Sequence, residues 1–162
     1  MSQSTKIDHA MLLKIADTVP AIVALYNINT GEYVYVNKAL AKILGYEPQE
    51  FIDGGMEFIA GLVHPDDVDD VMKKNQAALE YANMQDSPEE EIVATFEYRL
   101  KHKSSGWRWV RTEGTVFSRN ESGKVDLLLN VSLDITERKD AQLRLMKSLR
   151  LLEGVLHPPN GT

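Results

Sequence analysis

The sequence predicts an α+β fold: a five-stranded antiparallel sheet with helices packed on one face. Three observations carry that prediction. Two short runs of β-forming residues stand near the start, at 21–26 and 32–36. Three longer runs stand together near the end, at 92–101, 107–118 and 124–133, joined by turns that contain Ser and Gly. Between the two groups lie segments of helical spacing. All five strands can join one sheet, with the intervening helices covering one of its faces.

Taken in order, residues 4–17 read as an amphipathic helix whose stripe is Ile7, Ala10, Met11 and Ile15, closed by Pro20. Lys14 falls inside that stripe, and Leu12 and Leu13 outside it. The first two strands form a hairpin around Asn27, Asn29, Thr30 and Gly31. Asn37 is placed to cap a short helix over 38–44 that Gly45 ends. Pro48, Gln49 and Glu50 open a further turn of helix, which Gly54 and Gly55 break. His64-Pro65-Asp66-Asp67 reads as a helix start, with two acids at the positive end of the helix dipole. That helix carries Val68, Val71, Met72, Asn75 and Leu79 on one face and ends near Met84. An acidic, Pro-containing loop follows over 85–91.

The last strand and the helix after it are the most telling part. Alternation puts Leu128, Asn130 and Ser132 on one face of the strand and Leu127, Leu129, Val131 and Leu133 on the other. Helices cover one face. The wholly apolar face needs a second cover, from the N-terminal helix or another subunit. The strand runs straight into Asp134-Ile135-Thr136-Glu137, where Asp134 is placed as an N-cap and Glu137 closes a capping box. The outgoing helix reaches about residue 157. It carries a heptad seam of Ile135, Arg138, Gln142, Leu145, Leu149, Leu152 and Leu156. Gly154 weakens its end and Pro158 stops it. A single helix folding back on its own sheet is the alternative use of that seam.

Composition excludes several classes. The 162 residues leave room for one domain and a helical extension, and 43% hydrophobic content can bury a core. A net charge of -6 argues against a nucleic-acid surface. The basic run Arg99, Lys101, His102, Lys103 borders the turn Ser104-Ser105-Gly106 and reads as a solvated hairpin tip. With no cysteine there is no disulfide, thiolate metal site or cysteine nucleophile. No stretch is long and apolar enough to span a membrane, so the cytoplasm is the expected location.

Five local patterns, in order along the chain, give a resemblance to the PAS domain family over roughly residues 13–143. They are Tyr35-Val36-Asn37-Lys38-Ala39-Leu40, Leu44-Gly45-Tyr46-Glu47-Pro48-Gln49-Glu50-Phe51, Val63-His64-Pro65-Asp66-Asp67, Gly106-Trp107-Arg108-Trp109-Val110 and Asp134-Ile135-Thr136-Glu137-Arg138. The resemblance implies a ligand-sized cavity between sheet and helices, dimerisation, and a bacterial signalling role without catalysis. It implies that Asp134, Ile135, Thr136 and Glu137 pass the signal on, with Asp134 tied to the domain body by Arg108 or Arg111. Haem is not expected, because the long helix holds no His. His64 is better read as a capping residue, while His9, His102 and His157 lie near the termini or the hairpin tip. A covalent flavin adduct is not expected without cysteine, and Ser132 stands where flavin-binding members carry a Gln. The cofactor is otherwise unassigned.

Face and parity nominate Leu40, Ile43, Leu44, Val71, Met72, Asn75, Leu79, Phe96, Tyr98, Val110, Thr112, Asn130 and Ser132 for the cavity side. Most serve as core. Asn75, Thr112, Asn130 and Ser132 need partners if buried; mutual bonds or a water are favoured over a polar ligand. Met11, Ile15, Leu127, Leu129, Val131, Leu133, Leu145, Leu149 and Leu152 are the candidate dimer face. The domain boundaries follow: an N-terminal dimerisation helix over 1–19, the PAS domain over 20–134, a signal-linker helix over 135–157 and a tail over 158–162. The function expected is a cytoplasmic sensor or relay, with or without a small-molecule ligand, that dimerises and transmits a conformational signal from its last strand to the C-terminal helix, toward an output domain such as a histidine kinase of a two-component system, a cyclase or a transcription regulator. The alternative is a ligand-free dimerisation or interaction module. No Ser/His/Asp arrangement, metal-ligand spacing or phosphate loop supports an enzyme, and the acidic runs Asp66-Asp67 and Glu89-Glu90-Glu91 are each adjacent in sequence.

Overall fold

The computed structural model describes residues 6–84 and 92–157. Its elements are α1 (His9–Thr18), β1 (Ile22–Asn27), β2 (Glu32–Val36), α2 (Ala39–Leu44), α3 (Pro48–Ala60), α4 (Val68–Met84), β3 (Ile92–Lys101), β4 (Trp107–Arg119), β5 (Val125–Asp134) and α5 (Thr136–Leu156). The strands form one antiparallel sheet in the order β2-β1-β5-β4-β3. This is the α+β plan the sequence predicts. The last strand is central, paired to β1 on one side (Ile22 opposite Ser132) and to β4 on the other (Thr112 opposite Ser132).

Helices α2, α3 and α4 cover one face of the sheet. Beneath α2 and α3 lies a dense cluster that includes Leu40, Leu44, Tyr46, Phe51, Ile59 and Val110. Its rings meet at offset angles that aromatic pairs favour, with Tyr46, Phe51 and Phe58 within 5.9 Å of one another. A smaller cluster of Ala82, Val116, Val125 and Leu128 lies under the end of α4.

Several local expectations are corrected. Helix α1 starts at His9, where Asp8 accepts the Met11 N–H at 2.9 Å; the predicted start, at residue 4, lies outside the described residues. No residue of α1 is buried, so within one chain it does not cover the apolar sheet face. Asn37 does not cap α2; Lys38 occupies that position without a side-chain bond. Asn37 is instead fully buried. Its amide accepts the Val23 N–H (2.9 Å) and donates to the carbonyls of Ala16 (2.8 Å) and Ala21 (2.9 Å). Those backbone groups sit where the chain turns from α1 into β1, and each needs a partner once buried.

The Gly54-Gly55 pair kinks α3 without ending it. Gly55 takes a φ of 63°, which a side chain would strain, and helical turns continue to Ala60. Residues 64–67 form a turn and α4 starts only at Val68. Asp67 stays at the N-terminus of that helix, where its carbonyl accepts the Val71 N–H at 3.0 Å, but its side chain has a further task. Its carboxylate grips Arg99 on the edge strand β3, at 2.8 and 2.9 Å to the guanidinium and 2.9 Å to the backbone N–H. The same loop closes that edge through His64 N–H to Arg99 C=O and Lys101 N–H to Leu62 C=O, each at 2.9 Å. The basic run is thus not simply solvated: Arg99 is bound, and Lys103 reaches Glu50 at 2.9 Å.

Candidate functional site

A cavity of about 300 Å³ lies between the sheet, α3 and α4. Tyr33, Phe96, Tyr98, Thr112 and Asn130 form its floor. Met56, Ile59, Ala60 and Val63 wall it from the α3 side, and Val68, Val71, Met72 and Asn75 from α4. No charged side chain is among these residues. The floor carries a hydroxyl chain: Tyr98 Oη lies 3.0 Å from Thr112 Oγ1, which lies 2.7 Å from Ser132 Oγ. Burial pushes the Tyr98 phenol above its ordinary range, and Tyr33 shifts the same way, chiefly from burial and then from neighbouring Tyr98 and Tyr26. Both hydroxyls therefore stay neutral. Asn75 and Asn130 are different. Among the described residues neither side-chain amide has a hydrogen-bond partner. Gly114, opposite Asn130 on β4, leaves that amide room; a Cβ there would come within 3.2 Å of its Oδ1.

Of the residues nominated from the sequence, Val71, Met72, Asn75, Phe96, Tyr98, Thr112 and Asn130 line the cavity. Leu40, Ile43, Leu44 and Val110 do not; they pack into the cluster under α2 and α3. Leu79 packs with the cluster at the far end of α4. Ser132 stands one bond behind the wall, on Thr112. Met72 is 65% exposed and sits at the mouth. Sequence reasoning missed Tyr33, Met56, Ile59, Ala60 and Val63, and left out Val68 although it placed that residue on the same face of the helix as Val71. The spacing of Met56, Ile59, Ala60 and Val63 is helical, and reading Gly54-Gly55 as a helix end hid it. No His lines the cavity; His64 packs at a tilt against Trp107, with ring centroids 4.5 Å apart.

At the exit, α5 is stitched to β4 through one residue. Trp109 C=O accepts the Ile135 N–H at 2.9 Å, and the Trp109 N–H donates to Thr136 Oγ1 at 3.0 Å. Asp134 is not the N-cap and meets no Arg. Its Oδ1 accepts the Thr136 N–H (2.9 Å) and hydroxyl (2.6 Å), bracing the residue that holds Trp109. Ile135 takes the N-cap position without a side-chain bond, and Glu137 closes no capping box. Arg111 turns to Glu113 at 3.1 Å.

The ion pair at this junction comes from elsewhere. Glu97 on β3 binds Arg138, and Lys139 at 2.8 Å. Lys139, then Arg138, hold its carboxyl below the usual carboxylate range. Lys139 and Arg99 also lie over the Trp109 ring, at 4.7 and 4.9 Å from its centroid. Nothing local in the sequence announces a contact between residues 41 positions apart. Beyond this turn α5 stands clear of the sheet. Arg138, Gln142, Leu145, Leu149, Leu152 and Leu156 of the seam are all exposed, so the helix does not fold back.

A family model described as the PAS fold matches residues 33–131, a span from β2 into β5. The chain belongs to the PAS-fold family. A methyl sulfide methyltransferase-associated sensor of Methanosarcina acetivorans is 30% identical over 149 residues, which is 89% of this chain and 13% of that protein. The PAS domain thus spans only a small part of the curated relatives it matches. Among solved structures, a sensory box histidine kinase/response regulator from Burkholderia thailandensis E264 is 26% identical, with a TM-score of 0.65 over 89% of this chain and 96% of that one. The N-terminal domain of a diguanylate cyclase with PAS/PAC sensor from Marinobacter aquaeolei shares the fold, with 22% identity and a TM-score of 0.60 over 74% and 98%. The two matches above that share a quarter or more of their residues with this chain are described as a sensor and a sensory box histidine kinase/response regulator. No described helix of this chain is long and apolar enough to cross a membrane.

Proposed function

We propose that this PAS domain senses an uncharged small molecule in the cavity between α3, α4 and the sheet, and relays its presence through α5 to the output domain of a longer cytoplasmic signalling protein. The observation that carries the reading is the pair of unpartnered amides, Asn75 and Asn130, facing a cavity walled by apolar groups. A cavity of this size sits at the lower end of those that hold small ligands. The absence of lining charge sets the class. A carboxylate or phosphate would lose its hydration with no cation to replace it, whereas a neutral amide or ring would meet donors and acceptors.

Benzamide and benzoate, alike in shape and different in charge, test this. In amide NMR titrations benzamide is expected to shift Asn75 and Asn130 saturably, with benzoate at least roughly tenfold weaker. Equal binding would sink the class. No shift from either would favour a ligand-free interaction module.

Relay through a homodimer is the finer part of the reading. It is supported by the apolar groups left uncovered in one chain: Met11 and Ile15 on α1, Phe117 and Leu133 on the outer sheet face, and Leu145, Leu149 and Leu152 on α5. Leu127, Leu129 and Val131 complete that sheet face. Leu129→Asp, provided it stays folded, is expected to halve the molar mass in light scattering; an unchanged mass would count against dimerisation through this face.

A further inference from the structure

We propose that the state of the cavity reaches α5 through β3, with Glu97 as the coupling residue. The inference rests on reading the cavity as the input site. Alternation along β3 places Phe96 and Tyr98 on the cavity floor and Glu97, between them, on the opposite face. A displacement of that floor moves the Glu97 backbone directly. The Glu97 carboxylate in turn holds two successive residues in the first turn of α5, Arg138 and Lys139. Lys139 also lies against Trp109, whose backbone carries both hydrogen bonds that start the helix.

The last strand is the more direct covalent route but lacks such a grip. Asn130 lines the cavity, yet the hydrogen bonds of the Asp134 carboxylate stay within its own turn, on Thr136. The body of the domain holds α5 through β3 and β4. The clamp also has the strength a switch needs. The Glu97 side chain is 34% exposed, and ion pairs at that exposure are individually weak, so a small shift of β3 suffices to release them. Held and released are then two arrangements of one element, which the contents of the cavity can bias.

Hydrogen exchange at the Lys139 amide, which bonds to Ile135 C=O at 3.0 Å, reads the first turn of α5 directly. Glu97→Gln is expected to speed that exchange roughly threefold or more. Charge reversal, Glu97→Lys with Arg138→Glu and Lys139→Glu, is expected to slow exchange at the amide of residue 139 again, once each rate is divided by the intrinsic rate of its own sequence. The cavity is then perturbed without any ligand by Val71→Phe, or by the milder Ala60→Leu at its wall if the first variant does not fold. Either filler is expected to change the Lys139 exchange rate when Glu97 is present and to add nothing in the Glu97→Gln background. No change with Glu97 present would overturn the coupling. So would the same change in both backgrounds, which would return the route to β5. Because the fillers need no ligand, a failure here leaves the benzamide titration standing as a separate test of the cavity.

Discussion

The two halves of the helical layer are built differently. Under α2 and α3 the space is filled: Leu40 and Leu44 are fully buried and Phe51 is 4% exposed, packed among Tyr33, Tyr46 and Phe58. Under the first turns of α4 it is not: Val71 and Asn75 border the cavity, and the buried residues of that helix, Ala78 and Ala82, come only further on, where Ala82 and Leu79 pack with Val116, Val125 and Leu128. One sheet therefore carries a close-packed half that fixes the fold and a loose half whose contents can change. A sensor needs both, because a cavity can respond only if the frame around it does not.

The largest effect should come from emptying the packed half. Leu44→Ala removes a side chain with no exposed surface from the aromatic cluster and is expected to cost about 3 kcal/mol. Urea unfolding at neutral pH measures it. A loss below about 1 kcal/mol would mean that this half also yields, and the contrast between the halves would fail.

The packed half and the sheet were legible in the sequence because both are written in local patterns. Runs of β-forming residues between turns match the observed bounds of β2 and β3, and Gly45 ends α2 as a left-handed residue should. What escaped were side chains whose partners lie far along the chain. Asn37 and Asp134 each precede a helix and have the right chemistry for a cap, so the local reading is sound. The structure uses Asn37 across 14 to 21 residues and Asp134 one position too early to cap. The cavity was half legible. Its floor follows strand parity, but its α3 wall lay beyond a glycine pair that kinks the helix without stopping it. The clamp at Glu97 is invisible until β3 and α5 are brought together.

A smaller effect should come from the anchor at the start of α4. The Arg99 guanidinium, hydrogen-bonded to Asp67, holds that carboxyl below its usual range. The folded-state pKa is therefore lower than the unfolded value of about 3.9. The stabilisation it gives is present above that unfolded value and is lost as pH falls through the folded one. Asp67→Asn is expected to cost about 2 kcal/mol at pH 7, because it breaks charge-assisted bonds to a side chain and a backbone N–H at once. It should also flatten the loss of stability on acidification below about pH 4, relative to the parent protein. Urea midpoints at neutral and acid pH check both. A parallel acid limb in the two proteins would show that Asp67 is not among the carboxylates that set it.

The smallest effect should come from the mouth of the loose half. Met72 lines the cavity yet keeps 65% of its surface in water, so Met72→Ala removes little buried area and is expected to change stability by no more than about 0.5 kcal/mol. The same truncation widens the opening between α4 and α3. Its consequence should be kinetic: benzamide should enter and leave faster at nearly unchanged affinity, seen as a higher exchange rate in line-shape analysis of the Asn75 and Asn130 amide signals during the titration. A stability loss approaching that of Leu44→Ala would mean that Met72 is packed like the cluster under α2 and α3. In that case the helical layer would be one continuous core, with no loose half left to sense anything.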